Sequence, residues 1–119
     1  MDSYKNDKGG FCMVKISEEI MQIIKNYLSD LQQDINIEKA ILFGSYAKGT
    51  NDINSDIDIA IVSNHFRGKK RVDNINYLLL KAIDYNIDIE PIPFTDEEYA
   101  EKDGFLKEVL KYGIDISIN

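Results

Sequence analysis

Residues 56–63 read Asp-Ile-Asp-Ile-Ala-Ile-Val-Ser. Successive side chains on a strand point to opposite faces. Ile57, Ile59 and Ile61 therefore share one face, and Asp56, Asp58 and Ala60 share the other. This period of two argues for a strand with one apolar face buried. It also poses an electrostatic problem. Asp56 and Asp58 stand about 6–7 Å apart on the same side. Like charges there repel, and strands disfavour Asp. A divalent cation between them would remove that cost, and hard ions such as Mg²⁺ are held by carboxylates together with substrate phosphates.

The rest of the chain supplies a sheet and its cover. From Ser17 to about Gln33, apolar residues recur at spacings of three and four, with Ser17 as N-cap and Glu18 and Glu19 in the first turn. Glu38 to Phe43 reads as a strand ending at Gly44, and Ser45 to Lys48 as one helical turn. Lys69 to Asp84 returns to helical spacing, with Val72, Ile75, Leu78, Leu79, Ala82 and Ile83 on one stripe. Asn86 to Ile92 reads as a third strand, stopped by Pro91 and Pro93. Thr95-Asp96-Glu97-Glu98 is a capping-box signature opening a short helix. Phe105 to Lys111 is a second short helix with Gly113 as its C-cap residue. Ile114 to Ile118 alternates as a final edge strand. The order α-β-turn-β-α-β-α-α-β predicts a single α/β (α+β) domain, a small mixed sheet flanked by helices.

Length and charge narrow the function classes. The 119 residues make one domain, read as a flexible arm over 1–12 followed by the folded unit at 13–119. Fourteen Lys+Arg against 21 Asp+Glu leave a net charge of −7, which gives no grip on bulk nucleic acid or anionic lipid. One cysteine, Cys12, excludes an internal disulfide framework and a four-thiolate zinc site, and one histidine, His65, excludes a multi-histidine metal centre. With no signal-like or membrane-spanning run, the expected compartment is the cytoplasm.

The third strand repeats the acidic pattern, with Asp88 and Glu90 on one face and Ile87 and Ile89 opposite. If the two acidic strands are neighbours, three or four carboxylates converge, which is the equipment of two-metal phosphoryl transfer. Upstream, Gly44-Ser45 follows a strand directly. Glycine permits close approach of a phosphate, and the serine hydroxyl can bind its oxygens. Lys48 and Thr50 can add a charge and a further hydrogen bond.

Gly44-Ser45-Tyr46-Ala47-Lys48-Gly49, six intervening residues, then Asp56-Ile57-Asp58 resembles the signature of the DNA polymerase β-like nucleotidyltransferase superfamily, nearest its minimal nucleotidyltransferase (MNT) group. Ser55 fills the place before the first aspartate. The resemblance implies a Mg²⁺ site, with two ions, built on Asp56 and Asp58. It implies a nucleoside triphosphate, ATP, gripped by Gly44, Ser45 and Lys48. Its third catalytic and metal-binding carboxylate falls best on Asp88, with Glu90 as second choice. The group's pattern usually has Arg where this chain has Lys48, which keeps the charge and loses the planar fork.

By the same resemblance, the protein is expected to move AMP onto a hydroxyl acceptor. The leading acceptor is a tyrosine of a HEPN-domain toxin, with this chain as the antitoxin working in a homo- or hetero-oligomer. A stand-alone transferase acting on a small molecule such as an aminoglycoside, and a non-catalytic binding partner, are the alternatives.

Overall fold

The computed structural model describes residues 16–118. The arm expected over residues 1–12, and Cys12 with it, lie outside the described residues. Helix α1 (Glu18–Gln32) opens at Ser17, whose hydroxyl accepts from the Ile20 N–H at 3.1 Å. It buries Met21, Ile24, Tyr27, Leu28 and Leu31. Strand β1 (Lys39–Phe43) runs directly into the short helix α2 (Gly44–Lys48), then β2 (Ile57–Val62), α3 (Arg71–Ala82) and β3 (Ile89–Phe94) follow. Helices α4 (Asp96–Glu101) and α5 (Phe105–Tyr112) and the two-residue β4 (Ile114–Asp115) complete the order. No helix among the described residues is long and apolar enough to cross a membrane.

The sheet order is β3-β2-β1-β4, antiparallel except for the parallel β2–β3 pair. The expected alternation in β2 divides the protein into two cores. Ile57, Ile59 and Ile61 join Leu42, Ala40 and Ile89 under α1 and α3. On the other face, Ala60, Val62, Ile41 and Phe94 meet Leu106 and Val109 of α5. Buried apolar area of this order is the dominant folding force.

Three expectations need correction. The third strand is not stopped by its prolines; it runs through Pro91 and Pro93 to Phe94. The Ile57 N–H donates to Asp88 O at 2.8 Å and the Ser63 N–H to Phe94 O at 3.0 Å. Even-numbered residues of β3 therefore face the ladder. Pro91 and Pro93, odd-numbered and on an edge strand, turn their missing donors to the free edge, where a proline costs no hydrogen bond.

Helix α3 is rotated from the expected stripe. Asn74, Leu78 and Ala82 face inward, while Val72, Leu79, Leu80 and Ile83 are exposed. Asn74 is satisfied there by donating to Phe66 O at 3.2 Å, which makes a buried amide tolerable. The final strand is shorter than read, although the Ile116 N–H still donates to Ala40 O. Gly113 ends α5 as expected, but its φ of −70° is ordinary. Glycine is needed for space, because a Cβ would stand 2.5 Å from Ile41 Cγ2 and 2.6 Å from Val109 O.

Candidate active site

The second face of the sheet is covered only in part. Along β2, Ala60 and Val62 lie under α5, whereas Asp58 is half-buried and Asp56 precedes the strand. Register places Phe43, Asp58 and Glu90 in one row across β1, β2 and β3. The two acidic strands are thus neighbours, as the convergence of carboxylates required.

Gly44 shows why this end of β1 cannot carry a side chain. Its φ is +74°, and a Cβ there would stand 2.1 Å from Asp58 Oδ2. The backbone of the Gly-Ser turn and the Asp58 carboxylate are in direct apposition. Ser45, half-buried, begins α2, and the helix closes at Gly49 in the left-handed region at φ 77°. The loop that follows is tied by hydrogen bonds. Asp52 N–H donates to Ser55 Oγ at 2.9 Å, Asn54 N–H to Asp52 Oδ1 at 2.9 Å, and Ser55 N–H to Asp52 O at 3.1 Å. This turn delivers Asp56 to the start of β2 in a fixed direction.

The electrostatics mark the row as strained by like charge. Burial pushes the Asp58 carboxyl above the usual Asp range, and the Asp56 charge adds to the rise. A hydrogen bond with Glu90 opposes it. Glu90 is raised as well, first by desolvation and then by the charges of Asp56 and Asp58. Its carboxyl is within hydrogen-bonding reach of both, and that contact raises Glu90 while lowering Asp58. Asp88, the first choice for the third place, is exposed and lies just before β3, with its carbonyl taken by Ile57.

The donor set fits a hard divalent ion. It is all oxygen, its members repel one another, and a cation would relieve that repulsion. Among the described residues, no group of three or more Asp, Glu, His or Cys side chains is placed to hold a metal ion.

The other residues of interest make contacts of their own. Tyr46 is buried in the first core and has no ring to offer a base. His65 packs beside the Phe66 and Tyr77 rings, and burial holds its imidazole below the ordinary value. Of the consecutive basic residues Lys69, Lys70 and Arg71, Lys69 donates to His65 O, and Arg71 stands 5.5 Å from the Phe94 ring centre. Lys48 is exposed, with its ammonium 5.4 Å from the centre of the Tyr112 ring. Sequence reading had no means of joining Lys48 to Tyr112 or Phe43 to Asp58, because both pairings depend on the folded register.

Comparison with known proteins places the chain among nucleotidyltransferases. The family model for the nucleotidyltransferase domain matches residues 21–119. The putative protein adenylyltransferase MJ0141 of Methanocaldococcus jannaschii is 32% identical over 101 residues, covering 82% of this chain and 99% of that protein. The putative protein adenylyltransferase MJ1215 of the same organism is 33% identical over 48 residues, or 40% of this chain and 56% of that one. The crystal structure of a putative nucleotidyltransferase from Sulfolobus solfataricus superposes with a TM-score of 0.57 at 25% identity. It covers 70% of this chain and 73% of that one.

Proposed function

The chain belongs to the nucleotidyltransferase domain family, and from that premise we propose that it transfers AMP from ATP to a hydroxyl of a partner protein. The observation that carries the reading is the apposition of Gly44 and Asp58 beside Asp56 and Glu90. It sets the Gly44-Ser45 backbone directly against a row of carboxylates.

In this reading Asp56 and Asp58 hold Mg²⁺, and Glu90 takes the third place ahead of Asp88 because the register sets it directly beside Asp58. Bound Mg²⁺ would neutralise phosphate charge and activate the acceptor oxygen. Gly44 admits the phosphate chain to the backbone, the Ser45 hydroxyl donates to a phosphate oxygen, and Lys48 supplies a positive charge. The acceptor oxygen bonds to the α-phosphorus as the α–β bridging bond breaks. Pyrophosphate leaves with the bond electrons, and the hydroxyl proton passes to a carboxylate of the row and on to water.

The acceptor we propose is a tyrosine of a HEPN-type toxin, with this protein acting as its antitoxin in the cytoplasm. A protein acceptor is supported by the similarity to MJ0141, a putative protein adenylyltransferase that aligns over almost its whole length. The test is incubation with α-³²P-ATP, Mg²⁺ and the product of the neighbouring gene. Label should appear on the partner and vanish with Asp56→Ala/Asp58→Ala protein. Label on an added aminoglycoside instead would replace the protein acceptor with a small molecule. Mg-ATP binding with no transfer to either would leave a binding partner in place of an enzyme. A parallel series with Asp88→Asn and Glu90→Gln assigns the third carboxylate: the larger loss of transfer should fall on Glu90.

A further inference from the structure

Lys48 ends α2 three residues after Ser45, so the two side chains lie on one face of that short helix, about one turn apart. No carboxylate pairs with Lys48 among the described residues. Its ammonium instead stands 5.4 Å from the centre of the Tyr112 ring, and the Lys111 ammonium stands 5.5 Å from the same ring. Two cations thus gather at one half-exposed aromatic in a chain of net charge −7.

The ring sits on a firm support. Leu106 and Val109 seat α5 on the sheet, and Gly113 brings its end hard against Ile41. Helix α5 also packs against α2 itself. A lysine ammonium is a point charge on a flexible four-carbon stem. Without the rigid planar fork of a guanidinium, it needs an external group to aim it.

We propose that Tyr112 is a positioning residue whose ring holds the Lys48 ammonium on the Ser45 face of α2, where it can meet the terminal phosphates of a nucleoside triphosphate. The inference rests on the nucleotidyl-transfer reading above and deepens it. When the α–β bond breaks, negative charge builds on the departing pyrophosphate, and an ammonium already in place stabilises it without reorganisation. The attraction between a ring face and an exposed ammonium corresponds to roughly a two- to fivefold effect on binding.

The experiment is calorimetric titration with inorganic tripolyphosphate and with Mg-ATP at low salt. It compares wild type, Tyr112→Ala, Lys48→Ala and the double variant, with unfolding temperature measured for each. Tyr112→Ala should weaken tripolyphosphate binding roughly two- to fivefold and do nothing further in the Lys48→Ala background. Tyr112→Leu, which keeps apolar bulk without a π face, should behave as Tyr112→Ala does. Tyr112→Phe should retain most of the affinity. Wild-type tripolyphosphate affinity in Tyr112→Ala would overturn the proposal. So would a loss that persists undiminished without Lys48, which marks a purely structural role. A wild-type protein that binds neither tripolyphosphate nor Mg-ATP would sink the nucleotidyl-transfer reading itself, and the positioning role with it.

Discussion

The two faces of strand β2 are built from one alternating run of residues and serve opposite ends. Ile57, Ile59 and Ile61 are sealed under α1 and α3. On the other face, Ala60 and Val62 lie beneath α5, but the cover stops before Asp58. The sealed face gains stability from apolar burial. The open end gives stability up, since its carboxylates repel and are partly desolvated. The site lies where the helical cover ends, and its strain is carried by the core on the reverse of the same strand.

Substitutions should separate these roles. The largest effect is expected for Asp58→Asn. Transfer should fall roughly 1,000-fold or more, the scale of several kcal/mol lost from metal-assisted charge stabilisation. The unfolding temperature should hold or rise, because a repelling carboxylate is gone. A clear drop in Tm would show that Asp58 belongs to the structural half of the strand. Next is Ile59→Ala, one residue away on the sealed face. It should cost about 2–5 kcal/mol and lower Tm by roughly 10 °C or more, with turnover per folded molecule little altered.

Gly44→Ala should fall between the two classes. Its positive φ costs an alanine about 1–2 kcal/mol, a modest loss since the clashing atom is the movable end of Asp58. Activity should drop far more than stability, because Asp58 must swing aside. Near-normal transfer would break the link drawn between the Gly-Ser turn and the carboxylate.

The smallest effects are in the pH dependence, and their signs differ between regions. Asp58 and Glu90 are raised, so the native state holds protons that the unfolded chain releases. Stability should fall as pH rises from the ordinary carboxylate range through their raised values, and Asp58→Asn should flatten that fall. At the start of α4, Arg67 donates to both carboxylate oxygens of Asp96. That hydrogen bonding holds the Asp96 carboxyl low. Its contribution is present above the ordinary Asp range and is lost as pH falls through the lowered value, so Asp96→Asn should remove an acid-side loss. Thermal unfolding from acid to neutral pH reads both slopes.

The local patterns were legible where chemistry acts between near neighbours. Ser17 caps α1, and the Thr95–Glu98 box caps α4 with both bonds formed. Alternation placed β2 correctly because Ile57, Ile59 and Ile61 recur at the strand period of two and line one core. Legibility failed where the answer lay across the sheet. Pro91 and Pro93 read as a stop because a proline breaks a ladder, yet an edge strand has a side where no donor is wanted. The α3 stripe was misread because the carbonyl of Phe66, which satisfies Asn74, comes from outside the helix.

By itself, the sequence determined the element order, the carboxylate pair at Asp56 and Asp58, and the Gly44-Ser45 turn before them. All of these depend on steric and periodic rules within a few residues. Tertiary structure alone decided that Glu90 stands in register beside Asp58, that Tyr46 turns inward, and that Tyr112 reaches Lys48. Those outcomes are set by strand register and helix docking. A shift of one residue in register exchanges the faces of a strand, and that choice is fixed by the packing of the whole core.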